Sequence, residues 1–165
     1  MRYFTLLVLA AACLSIPSAA VAADPCALLS RAEAATLLGQ PVGPGAAAGP
    51  VRDEDSTGQI SYCSYRAGTA GLIVSVVDFA SPAEARKALT LNLVKERMDE
   101  DDAKVSEEPG IAERSFYAVS SEGSSYVFLK GNKVVGVAVG GPGSPKPAAV
   151  KGALKASALA AAARL

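Results

Sequence analysis

Only two cysteines, Cys26 and Cys63, lie beyond the first 23 residues of this chain. The third, Cys13, sits inside an apolar N-terminal run that reads as an export leader. Once that leader is removed, an even pair remains in an oxidising compartment, where disulfides persist. Two cysteines permit a single intramolecular pairing. Closing a loop of this length stabilises by about 4 kcal/mol in the loop-entropy model. Metal ligation is a poorer alternative, because two thiolates without any histidine make an incomplete site. The spacing is also far from the reactive Cys-x-x-Cys arrangement.

Residues 1–23 have the layout of a secretory signal. Arg2 gives the charged start, Phe4 to Leu14 the apolar segment, and Ser18 to Ala23 the small residues read by a signal peptidase, with cleavage after Ala22 or Ala23. Ser15 and Pro17 interrupt the run before it reaches the ~20 residues of a membrane span. A lipid anchor on Cys13 is the minor alternative, since a lipoprotein signal usually places Leu three residues earlier and Ala10 stands there. The expected location is secreted or periplasmic.

The remaining residues, 24–165, suit one domain. There is no Trp, and aromatic residues make up 5% of the chain, so the core must come from Val, Leu, Ile and Ala. Lys and Arg total 16, as do Asp and Glu. Such a balance gives no basic footprint for nucleic acid. No later segment is apolar enough to span a membrane.

Local patterns order the domain. Ser30-Arg31-Ala32-Glu33 is a capping box, and Gly39 with Pro41 ends the short helix that follows. Residues 40–59 show no periodicity and are expected to form a mobile loop. Ile60–Arg66 and Leu72–Phe79 read as strands joined through Ala67-Gly68-Thr69-Ala70, the second being nearly continuous Val and Ile and hence central. Ser81-Pro82-Ala83-Glu84 caps a second helix, whose stripe is Ala85, Leu89, Leu93, Val94 and Met98. Three strands follow, Ser115–Ser120, Tyr126–Lys130 and Lys133–Val139. The last two are joined by Gly131-Asn132, where both residues tolerate positive φ. Ser144 caps a final helix with Val150, Leu154 and Ala158 on one face. The expected class is α+β, in the order α-β-β-α-β-β-β-α. About five antiparallel strands would carry helices on one face.

Asp24-Pro25-Cys26-Ala27-Leu28-Leu29-Ser30, with Glu33 and Leu38-Gly39, resembles the opening of a family of small exported bacterial proteins and lipoproteins of unknown function. That family starts Asp-Pro-Cys-x-Leu-Leu-Thr/Ser and carries a later Cys-x-Tyr, matched by Cys63-Ser64-Tyr65. Gly110-Ile111-Ala112-Glu113 before Phe116-Tyr117 is similar to its Gly-Leu-Gly-Asp-Ala-Tyr, with Ala112 standing in place of the second Gly. Lys130-Gly131-Asn132 resembles its Lys-Gly-Asp/Asn turn. The resemblance implies a Cys26–Cys63 disulfide and an envelope location, and it implies no catalytic residue.

Chemistry-bearing patterns are sparse. The chain has no His, which removes Ser-His-Asp and Cys-His catalysis and His-ligated zinc. Glu107-Glu108 and Asp99 to Asp102 are charge runs, whereas glycosidic chemistry needs two carboxylates facing across a cleft. Asp53, Asp55 and Thr57 resemble half of a calcium loop and lack its closing Glu. Gly140 to Ser144 resembles a phosphate loop without its Lys. Lys146, Lys151, Lys155 and Arg164 give the last helix a basic side that a membrane surface could meet. Tyr62, Tyr65, Tyr117 and Tyr126 are candidates for an aromatic ligand face, or equally for cross-strand packing.

These features point to a non-enzymatic envelope domain that needs no cofactor and binds an envelope protein or a small ligand. A secreted inhibitor presenting loop 40–59 and a histidine-free carboxylate enzyme are the alternatives.

Overall fold

The computed structural model describes residues 24–52, 57–90, 94 and 103–165. Among them one antiparallel sheet carries seven strands, ordered β1-β2-β3-β7-β6-β5-β4. The strands are β1 (Ala46–Arg52), β2 (Gln59–Ala67), β3 (Ala70–Asp78), β4 (Lys104–Glu107), β5 (Arg114–Val119), β6 (Gly123–Lys130) and β7 (Lys133–Gly140). The helices are α1 (Pro25–Leu28), α2 (Arg31–Leu38), α3 (Pro82–Ala88) and α4 (Pro147–Arg164). The class is α+β, as expected, but two strands more than expected are present.

Both additional strands lie at sheet edges. β1 falls in the stretch expected to form a mobile loop. It pairs with β2 from Ala46↔Ser64 to Arg52↔Gln59, with a bulge between Ala48 and Val51. Its residues are mostly small and exposed, so backbone hydrogen bonds rather than side-chain periodicity make it a strand. Gly49-Pro50 sits in the bulge, where a proline on an edge strand loses no ladder bond. β4 is four residues long and pairs Lys104↔Val119 through Glu107↔Phe116.

The order of elements places helices on both faces, which corrects the one-sided layering expected from sequence. After β3, α3 packs on one face, and the next described strand, β4, lies at the far edge of the sheet. Three hairpins then walk back until β7 closes against β3. α1, α2 and α4 cover the other face, over Cys63, Tyr65, Leu72, Val74, Tyr126, Phe128, Val135 and Val137. α4 contributes Val150, Leu154, Ala158 and Ala161, spaced to lie along one side of the helix. Its alanines let the helix axis come close to the sheet. On the face with α3, Ala85, Leu89 and Val94 pack with Val77, Phe116, Leu129 and Val134. Leu91, Leu93 and residues 95–102, including the rest of the expected helical stripe, lie outside the described residues.

Local signals set the ends of elements. Ser30 Oγ accepts from the Glu33 amide at 3.3 Å, and Glu33 Oε2 accepts from the Ser30 amide at 2.8 Å. Gly39 then ends α2 at φ +69. The hairpin turn at Gly131-Asn132 is present between Lys130 and Lys133. Only Gly131 takes positive φ, while the Asn132 side chain donates to Phe79 O at 2.8 Å. Ser144 does not cap α4. It donates to Gly140 O at 2.5 Å, and the helix starts two residues later than such a cap requires, with Lys146 before Pro147.

The disulfide joins Cys26 of α1 to Cys63 of β2. Around it, Tyr65 Oη donates to Leu29 O at 2.5 Å and Arg31 Nε donates to Val42 O at 2.7 Å. The N-terminal segment is thereby tied to the sheet both covalently and by hydrogen bonds. No described helix is long and apolar enough to cross a membrane.

Candidate functional site

Among the described residues, only half of the face that carries α3 is covered. Register lines up its outward residues in rows across β2, β3, β7 and β6. The first row is Arg66, Gly71, Gly140 and Gly123, and the second is Ser64, Ile73, Ala138 and Ser125. The third is Tyr62, Ser75, Gly136 and Val127, and the fourth is Ile60, Val77, Val134 and Leu129. Leu89 and Val94 cover the fourth row, where Val77, Val134 and Leu129 are buried. The first two rows have no cover among the described residues.

Small residues leave this floor recessed. A cavity of about 470 Å³ runs over it, with Arg66 and Thr69 on one side and Ser120 and Glu122 on the other. A second cavity, of about 190 Å³, continues toward α3 between Leu89, Val94, Val127 and Val134. Ser125 and Ala138 line both, so the two form one groove. Apolar surface is also concentrated on this face. Four large hydrophobic side chains are markedly exposed among the described residues, and Val51, Tyr62 and Ile73 are three of them. All three project on the groove side, whereas Leu159 lies on α4. Ile73 is 47% exposed in a strand whose other valines and leucine are buried.

The chain matches no family model and no curated protein.

The four candidate tyrosines do not share a face. Tyr65, Tyr117 and Tyr126 point under the helices and are buried, and Tyr62 points into the groove side. Strand alternation separates Tyr62 from Tyr65, whose positions differ by an odd number. The buried set forms a polar seam under α4. Tyr126 Oη donates to Glu108 Oε2 at 2.7 Å, and Lys151 Nζ donates to Glu108 Oε1 at 2.5 Å. Lys151 also lies 4.4 Å from the Tyr117 ring centre, which is itself 5.0 Å from that of Tyr126. The Lys151 hydrogen bond holds the Glu108 carboxyl below its ordinary range, with Tyr126 adding to the effect. Burial, then the Glu108 carboxylate, pushes the Tyr126 hydroxyl up.

Other sequence candidates are occupied by structural contacts. Glu107 accepts from Arg114 Nε at 2.8 Å and Nη2 at 3.2 Å, which lowers its pKa. Thr57 Oγ1 donates to Glu84 Oε2 at 3.0 Å, while Asp53 and Asp55 lie outside the described residues. No group of three potential metal-ligating side chains occurs among the described residues. The Gly140–Ser144 loop is closed by bonds from Ser144 to Gly140 O and from Thr69 to Pro142 O. On α4, Lys151 and Arg164 are held by Glu108 and Glu33, and the apolar side is spent on the sheet. The segment put forward as an inhibitory loop contains strand β1.

Sequence patterns did not single out Ile73, Gly71, Gly136, Arg66 or Glu122. Glycines in strand interiors were the available signal, because they mark close approach by a ligand or another backbone.

Proposed function

We propose that this chain is an exported, non-enzymatic binding domain of the cell envelope that holds its ligand in the groove beside α3. The observation that carries this is the exposure of Ile73, which lines the cavity, and of its neighbour Tyr62, on a part of this sheet face that the described residues leave uncovered. Pocketed apolar surface with a few polar groups at its rim is the usual form of a ligand site. The leader, the disulfide and the envelope resemblance support export. A carboxylate acid would need a raised pKa in a cleft. Glu33, Glu107 and Glu108 are instead all held low by cationic partners.

A photo-crosslinking amino acid placed at Ile73, with Leu159 as the control position on the opposite side, tests the proposal in cells. Adducts formed from position 73 and not from 159 are expected. Equal labelling from both positions, or none from 73, would overturn the assignment of the groove.

A further inference from the structure

Resting on the binding role proposed above, we infer that the groove takes a monomeric, single-chain amphiphile with a zwitterionic head group. The two ends of the groove differ in chemistry. At the α3 end the walls are Leu89, Val94, Val127 and Val134, and none of the described residues lining the cavity is charged. At the open end Arg66 on β2 and Glu122 before β6 stand on opposite rims, both exposed. Neither belongs to a salt bridge among the described residues.

Length fits one aliphatic chain. From the Val77 row to the Gly71 row is six residues of strand, roughly 20 Å at strand rise. One leaflet of a bilayer is about 15 Å of hydrocarbon, so a chain of that length lies along the groove and leaves its head at the open end. Volume at the inner end suits one chain. The inner cavity, at about 190 Å³, is smaller than a typical ligand pocket.

Charge selects the head group. Arg66 and Glu122 both line the open cavity and are separated by three strand spacings, roughly 14 Å between backbones. An anionic head would satisfy Arg66 and face Glu122. A cationic head would do the reverse. A head carrying both signs pairs with each rim, as electrostatic complementarity requires.

Titration calorimetry of the full chain with lysophosphatidylcholine below its micelle concentration is the test. Saturable one-to-one binding is expected, weakened about ten-fold by Arg66→Ala and by Glu122→Ala. Gly71→Phe is expected to abolish it with unchanged melting temperature, since a Cβ there meets nothing nearer than 3.9 Å. Ser125→Leu, on the shared wall, gives a second block should the first variant misfold. Absence of saturable binding, binding that survives both blocks, or equal affinity for lysophosphatidylglycerol would overturn the inference. Equal binding to diacyl phosphatidylcholine vesicles would also overturn it, by showing a membrane surface as the ligand. If amphiphile binding fails while the probe at position 73 still captures a partner, only the ligand class falls. Silence in both experiments removes the groove altogether.

Discussion

Arg164 Nη2 donates to Glu33 Oε1 at 2.7 Å and Nη1 donates to Glu33 Oε2 at 2.9 Å, joining residues 131 apart in sequence. Nη1 also donates to Leu28 O at 2.7 Å. The last turn of α4 thus fastens the capping box of α2 and the end of α1. These bonds, led by that from Arg164, hold the Glu33 pKa at about 2 against an ordinary 4.5. A depressed folded pKa means stability present above the unfolded value and lost as pH falls toward the folded one. Because the pair is partly exposed, its contribution is about 1 kcal/mol after screening. Urea unfolding of wild type and Glu33→Gln should therefore differ by that amount at pH 7. The two should converge between about pH 5 and pH 2. A constant difference across that window would mean that the carboxylate charge is not the stabilising feature.

The disulfide acts at the same corner. It closes a separation of 37 residues, and α1 is a single short turn that could not hold itself on the sheet. The Cys26→Ser, Cys63→Ser double variant should lose about 3 to 4 kcal/mol. That corresponds to roughly 10 °C in melting temperature for a domain of this size. Differential scanning calorimetry checks it, and a loss below about 1 kcal/mol would assign the anchoring to Tyr65, Arg31 and Arg164 instead.

Ala112 is the only described non-glycine residue with positive φ, at +51. This is a left-handed backbone that glycine adopts freely and alanine adopts at a steric cost. Nearby, Ile111 is fully buried and the Glu113 amide donates to Leu129 O at 3.0 Å, which fixes the loop from both sides. Relief of the steric cost, partly offset by the entropy of glycine, should make Ala112→Gly more stable by about 0.5 to 1 kcal/mol. Chemical denaturation measures this, and a destabilised variant would refute it.

Much of the fold was legible where local chemistry and tertiary packing agree. The Ser30 capping box, the Gly39 stop and the strand pairs around residues 67–70 and 130–133 are written in residues that act on their own backbone. β1 was not legible, because alanine, glycine and proline at an exposed edge carry no periodicity. The placement of α3 was hidden as well. The near-continuous apolar run of β3 shows burial without saying that Ile73 on one face is left open. Ser144 misled for a related reason: a hydroxyl before a proline can bond the preceding turn as readily as a helix end. The groove itself is built from Gly, Ser and Ala, whose chemistry appears only when strand register sets them side by side.

The tyrosines offer a separation of stability from binding. Tyr126 is fully buried, and its hydroxyl bonds the partly buried Glu108 carboxylate. Tyr65 bonds the carbonyl of Leu29. Removing either hydroxyl leaves an acceptor short of a partner at small change in volume. Tyr126→Phe should cost about 1.5 kcal/mol, because its acceptor is charged, and Tyr65→Phe about 1 kcal/mol. Neither should alter capture by a probe at position 73, since both lie on the helix-covered face. Tyr62 is 39% exposed and makes the opposite prediction. Tyr62→Ala should change stability by less than about 0.5 kcal/mol, as expected for a surface site, while reducing capture from the groove. Measuring denaturation and crosslinking on the three variants together decides the matter. Loss of capture in Tyr126→Phe at full stability would move the ligand to the α4 side of the sheet, and full capture in Tyr62→Ala would remove that ring from the site.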